Sequence, residues 1–181
     1  MGEVLVMNYK DEVCKSMEWL AEQPNTLFIG QTVKYDGSTI SSTLKGILPE
    51  KRIELPVMEE CQMGMALGMS LRGIVPICIY PRIDFMLCAI NQLSNHLDVL
   101  EKMTHREWQA KVIIRTTIAA KTPMYPGIQH CRDHTEVFRL LLKNIPVIKL
   151  EQASQVLPAY QEAYQSKGST LIIEMAEMYG L

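Results

Sequence analysis

The chain has 181 residues, 20 acidic and 18 basic side chains, a net charge of −2 and 48% apolar residues, enough for one domain with a sizeable core. With 21% charged residues and no basic run, this balance argues against a nucleic-acid surface. No apolar stretch approaches the roughly 20 residues that cross a bilayer, and MGEVLVMNYKDEV lacks a basic region followed by an apolar one, so a cytoplasmic chain is expected. Cys14, Cys61, Cys78, Cys88 and Cys131 are odd in number without a CxxC pair. They read as reduced, mostly buried thiols and not as a disulfide frame or a zinc site.

Residues 9–22 place Val13, Met17, Trp19 and Leu20 at near-helical spacing, and Pro24-Asn25 stops that helix. Leu27-Phe28-Ile29 before Gly30 is a short buried strand, and 38–48 is a loop with a short helix. A strand at 52–55, a proline turn, a helix over 60–71, a strand at 75–80 and a long helix from about Asp84 to Met103 follow. The helix over 60–71 carries Gly64, Ala66, Gly68 and Ser70, read as a small-residue stripe against which another helix could pack closely. Beyond it come a β-branched strand at 111–117, a Pro-rich loop at 119–129, a helix over 135–143, a strand at 147–150, a helix over 153–165 and a last strand at 170–174. Six strands alternating with helices predict an α/β three-layer sandwich, a mostly parallel sheet covered by helices on both faces, as one domain over 1–181.

Chemistry is expected around 52–95, because open parallel sheets bind ligands beyond the carboxyl ends of their strands. Glu59 and Glu60 open a helix at such an end. The helix dipole favours acidic residues in a first turn whatever the function, so residue type alone reads both as capping charges.

The order of segments says more. Pro56-Val57-Met58-Glu59, Gly64, Gly68, Arg72-Gly73, Pro76-Ile77-Cys78, Asp84-Phe85 and Gln92 to Asn95 together resemble the pyrimidine-binding domain of transketolase-like thiamin-diphosphate enzymes. The nearest likeness is to the beta subunit of pyruvate dehydrogenase and its branched-chain relatives. Gly30 before Val33, Tyr35-Asp36-Gly37, Ile173-Glu174 and Met178-Tyr179-Gly180 extend the resemblance over nearly the whole chain. No single piece is specific; their order and spacing are.

The resemblance implies roles. A glutamate at the place of Glu59 hydrogen-bonds the cofactor's aminopyrimidine and drives its amine toward the imine that deprotonates the thiazolium carbon, which calls for a carboxylate out of bulk water. Glu60 keeps the capping role. Phe85, seven residues before Gln92, has the spacing of the ring that stacks on the pyrimidine; an ordinary core phenylalanine is the bland reading, and Tyr80 is the substitute if the register slips. Of two histidines that could meet substrate, His130 sits in a locally similar Ile128-Gln129-His130. His134 keeps the ungapped distance to Phe138 and Pro146 and is preferred; an ordinary surface histidine is the bland reading for either. Where the relatives carry Gly-Glu, this chain has Gly30-Gln31, so a carboxylate that couples paired sites is neutral at the cofactor-facing Gln31. The segments 104–108 and 118–126 also depart from the family, which points to a different donor or acceptor pocket.

The Gly-Asp-Gly and asparagine that hold magnesium and diphosphate are not found in the sequence. The expectation is therefore a subunit of a split enzyme. A diphosphate-binding alpha-like partner completes the thiamin-diphosphate and Mg site, in a heterotetramer of two of each chain, and acts on a 2-oxo acid or a sugar. The alternatives are a noncatalytic scaffold or regulator of the same fold, supported by Gln31, and an unrelated nucleotide- or flavin-binding domain, disfavoured because no Gly-x-Gly-x-x-Gly follows the first strand.

Overall fold

The computed structural model describes residues 8–122 and 125–180. Its centre is a parallel sheet of six strands, β1 (Thr26–Gly30), β2 (Arg52–Glu54), β3 (Val75–Tyr80), β4 (Ile113–Ile118), β5 (Val147–Leu150) and β6 (Thr170–Met175), in the order β2-β1-β3-β4-β6-β5. β3, β4 and β6 read VPICIY, IIRTTI and TLIIEM and are buried nearly throughout, as strands covered on both faces must be.

One face is covered by α1 (Tyr9–Glu22) and α5 (Ala153–Gln165). Val13, Met17 and Leu20 of α1 meet Val156, Ala159, Tyr160 and Ala163 of α5 over Phe28, Ile77, Ile113 and Ile172, the 3.6-residue stripe that buries one side of a helix. The Asn8 side chain accepts the Asp11 N–H and starts α1. The opposite face carries α2 (Glu59–Ser70), the segment 83–97 and Phe138 of α4 (Thr135–Leu141), packed on Ile29, Cys78, Tyr80, Ile114 and Ile173. The three-layer architecture is as the residue pattern predicts.

Three expectations are corrected. The single helix from Asp84 to Met103 is instead a 3-10 helix at Ile83–Ala89, a π-helix at Asn91–Leu97 and the short α3 (Leu100–Met103). Buried Ile83, Met86 and Ala89 recur every three residues, the eclipsed spacing of a 3-10 turn, and the Asp98 amide then reaches five residues back to the Leu93 carbonyl. The small-residue stripe is divided: Ala66 and Ser70 are buried, whereas a Cβ on Gly68 would meet nothing within 4 Å. Two residues advance a helix by about 200°, so Gly64 and Gly68 share the side opposite Ala66 and Ser70. All five cysteines are free, but only Cys78 is buried, and Cys61 and Cys88 are exposed.

A buried ion pair fastens β4 to β6. Arg115 donates from Nε and Nη2 to the two Glu174 oxygens at 2.9 Å each, and from Nη2 to Thr43 Oγ1 at 2.8 Å. The Tyr160 and Tyr179 hydroxyls complete the Glu174 shell. Burial lowers the Arg115 pKa, yet the Glu174 carboxylate beside it outweighs that and holds it well above the usual arginine value, so the guanidinium stays charged.

Candidate active site

The site is built where the chain reverses direction in the sheet. After β1 the chain moves outward to β2 and then returns to place β3 on the other side of β1; such a switch point opens a crevice beyond the carboxyl ends of the strands. A cleft of about 410 Å³ lies there, lined by Gln31 after β1, by Arg82 and Phe85 after β3 and by Ala119 after β4. Gly30 permits the narrow entry, with φ +149° and a position where a Cβ would stand 2.2 Å from the Ile79 carbonyl oxygen.

Glu54 shapes the cleft wall. Its carboxylate, at the end of edge strand β2, accepts the backbone N–H groups of Thr32 at 2.6 Å and of Val33 and Lys34 at 2.8 Å. The clasp holds Thr32 at φ +57°, a conformation that costs a β-branched residue energy, and so fixes the turn that carries Gln31. Gln31 is only 8% exposed, and its Nε2 has no hydrogen-bond partner.

The predicted aromatic and the histidines meet at the rim. Phe85, half-buried, packs edge-to-face with His130 at a centroid distance of 5.5 Å and an interplanar angle of 66°, and the Arg82 guanidinium sits 5.8 Å from its centroid. His130 Nδ1 is buried without a partner. His134 precedes α4, and its Nε2 lies 3.2 Å from Asp84 Oδ1; the exposed Arg132 approaches the same oxygen at 3.6 Å. Asp84 Oδ2 is buried and unpartnered. Tyr80 is fully buried and donates its hydroxyl to the Glu59 carbonyl at 3.0 Å, which leaves Phe85 as the accessible ring.

Glu59 opens α2 on a neighbouring, shallower cleft of about 630 Å³ bordered by Met58, Gly64, Cys88 and Gln92. The Tyr80 bond fixes its backbone, while its half-buried carboxylate takes part in no ion pair among the described residues. Glu60 is occupied, accepting the Asn91 amide at 2.8 Å. Gln31 and Phe85 thus line one cleft, His130 packs on Phe85 and His134 on Asp84 outside its lining, and Glu59 stands on a different cleft. Sequence reasoning passed over Glu54, Arg82 and the partnership of Asp84 with His134. The one available signal was polar residues directly after strands at a carboxyl edge.

A free carboxylate, an accessible aromatic ring and unpartnered amide and imidazole nitrogens are groups that an aminopyrimidine could engage. No family model matches the chain. The beta subunit of the pyruvate dehydrogenase E1 component from Cyanidium caldarium is 25% identical over 170 residues, 91% of this chain and 50% of that protein. The 2-oxoisovalerate dehydrogenase beta subunit of Bacillus subtilis is 23% identical over 167 residues, 90% of this chain and 47% of that protein. The chain spans about half the length of the curated relatives it matches. Among solved structures, a split-gene transketolase in an inactive beta4 tetramer matches 93% of this chain and 51% of its own with a TM-score of 0.70 at 19% identity. A thiamine diphosphate-dependent 4-hydroxybenzoylformate decarboxylase from Rhodococcus jostii matches 92% of this chain and 30% of its own with a TM-score of 0.66 at 16% identity. The sequence likeness to dehydrogenase beta subunits and the fold shared with a split transketolase bear out what the residues announced: this chain resembles a transketolase-like pyrimidine-binding domain.

Proposed function

We propose that this chain is the pyrimidine-binding, beta-like subunit of a heteromeric thiamin-diphosphate enzyme that cleaves a 2-oxo acid or a ketol sugar and transfers the carbon fragment. The observation that carries the reading is Glu59, a carboxylate without an ion-pair partner among the described residues, fixed through its backbone at the carboxyl edge of a parallel sheet. The names of the relatives support it. Thiamin diphosphate, when bound, supplies the electron sink for the carbon–carbon bond change. Glu59 holds a proton at a pyrimidine ring nitrogen, Phe85 lies against the pyrimidine face and Gln31 offers its amide to the cofactor. His134, oriented by Asp84, exchanges a proton with substrate through its ring, with His130 beside it. No group of three or more ligating side chains forms a metal cluster among the described residues; an alpha-like partner brings the diphosphate and magnesium site, in a heterotetramer of two of each chain. The partner also covers Glu59, which is half-buried in this chain alone, and gives it the dry surroundings a shared proton requires.

The test is Glu59→Gln in the complex with the co-purified partner. Carbon-fragment transfer should fall by about 10²- to 10⁴-fold while the unfolding midpoint stays unchanged. Retained activity would rule out the catalytic role and favour a scaffold, a reading to which the neutral Gln31 lends its one support.

A further inference from the structure

A separate cavity lies at the other end of the sheet, where nothing in the proposed chemistry reaches. It measures about 200 Å³, below the roughly 300–1,000 Å³ of sites for drug-sized ligands, so it suits a small metabolite. Its floor is buried and apolar, made by Leu97 and Leu100 and by Ala110 and Ile145 from the chain entering β4 and β5. The polar groups of the floor are spent. The Ser169 hydroxyl accepts the Val112 N–H and donates to the Ala110 carbonyl, each at 3.0 Å, and the Asp98 carboxylate is filled by the N–H groups of Lys143, Asn144 and Ile145. The mouth differs: Glu101, Lys102 and Arg106 stand exposed around it. None of the three makes an ion pair among the described residues, although they share one short stretch of chain. Asn144 uses its amide nitrogen on Asp98 at 2.8 and 3.2 Å, which leaves its amide oxygen as a further acceptor. Arg106 is carried by a strained turn, with His105 at φ +49° and Arg106 at φ +69°, a conformation that costs non-glycine residues energy and clusters at ligand sites. The Arg106 N–H bond to the Glu101 carbonyl at 2.7 Å and the Thr104 hydroxyl bond to the Leu100 carbonyl at 2.9 Å hold that turn. Opposite charges left unpaired at the mouth of an apolar floor match a molecule with both charges at one end and hydrocarbon at the other.

We propose that this cavity binds a small aliphatic α-amino acid. The ligand carboxylate takes Lys102 and Arg106, whose flat fork can grip both oxygens. The ammonium takes Glu101 and the Asn144 oxygen, and the hydrocarbon chain lies on Leu97, Leu100 and Ile145. A carboxylic acid without the ammonium would meet Glu101 and the filled Asp98 uncompensated, and an amine without the carboxylate would meet Lys102 and Arg106. Selectivity for the zwitterion therefore comes from repulsion of its halves as much as from attraction. The site stands apart from the clefts beyond the carboxyl ends of the strands, so it does not rest on the function proposed above.

The experiment is an NMR titration of the whole chain with L-leucine, beside isocaproate, which lacks the ammonium, and isoamylamine, which lacks the carboxylate, at matched ionic strength. Saturable methyl shifts are expected at Leu97, Leu100 and Ile145 with leucine, and each truncated analogue should bind about 10- to 100-fold more weakly. Arg106→Met should weaken leucine by about the same factor without weakening isoamylamine. Glu101→Gln should weaken leucine and isoamylamine without weakening isocaproate. Lys45→Met, at an exposed position outside the cavity, should change nothing. Both altered mouth residues are exposed, so the unfolding midpoint of each variant should match that of the parent and the loss reads as lost contact with the ligand. The proposal is overturned if leucine does not saturate, if Arg106→Met or Glu101→Gln binds leucine like the parent, or if isocaproate or isoamylamine binds as tightly as leucine.

Discussion

Two buried aspartates mark the two ends of the sheet, and they are treated in opposite ways. At the amino end, Asp98 accepts the backbone N–H groups of Asn144 at 2.8 Å, Ile145 at 3.1 Å and Lys143 at 3.2 Å, and the Asn144 side chain closes on it as well. At the carboxyl end, Asp84 is equally hidden, but one oxygen faces a histidine and an exposed arginine and the other has no donor among the described residues. A carboxylate saturated by backbone donors can only hold a turn, because every lone pair is taken. One that keeps a lone pair unused beside a histidine ring leaves an acceptor that the fold itself does not fill. The same residue type at the same depth separates scaffold from site by how completely it is satisfied.

The sharpest way to break this contrast is to remove both carboxylates. Asp98→Ala strands three backbone N–H groups and should cost about 3–5 kcal/mol in denaturant unfolding, whereas Asp84→Ala should cost less than about 2 kcal/mol. Equal losses would dissolve the distinction. A smaller effect distinguishes open from closed ground by reactivity. Iodoacetamide should label the exposed Cys61 and Cys88 beside Glu59 in the folded chain and spare Cys78 until unfolding, as mass spectrometry can follow. Desolvation by burial pushes the Cys78 thiol up to about 11, so at pH 8 only about a thousandth of it is thiolate. Early labelling of Cys78 would mean that the sheet opens locally.

The smallest effect belongs to Asp133, on the loop before α4. Burial would raise its carboxyl, but hydrogen bonds from Thr135 and the Lys149 ammonium outweigh this and hold it below its ordinary value. A depressed folded pKa contributes stability above the unfolded value, and that contribution is lost as pH falls through the folded one. Asp133→Asn should therefore cost below about 1 kcal/mol at pH 7, with the difference from the parent vanishing in acid below the ordinary carboxylate range. A penalty that stays constant to low pH would show that the charge plays no part.

The strands were legible because β-branched and apolar runs bounded by turn residues have few other uses, as in IIRTTI and TLIIEM. α1 was legible from the spacing of Val13, Met17 and Leu20. The segment after β3 was not, since 3-10, α and π turns all bury residues three or four apart and differ in which carbonyl each amide reaches. The residues gathered around the cleft could be named in advance only where a resemblance supplied the order of segments. Arg115 inside an apolar run gave no hint of its partner 59 positions away. Arg82 was passed over, because nothing local shows that the nearby Asp84 has already been claimed by His134 and Arg132.

The edges of the sheet carry a consequence for how this chain can associate. An unpaired strand edge is a template for another strand, and long flat edges recruit neighbours into aggregates. Here β2 has only three residues, and the carboxylate at its end is folded back onto the loop after β1. At the far edge, β5 has four residues and bears Lys149, drawn into pairs with Asp133 at 3.0 Å and Glu151 at 3.2 Å. Both margins are thus blunted by brevity and charge, so growth of the sheet from chain to chain is obstructed. That leaves the helical faces as the surfaces on which contact with another chain would be set by side chains and not by a ladder that any strand could extend.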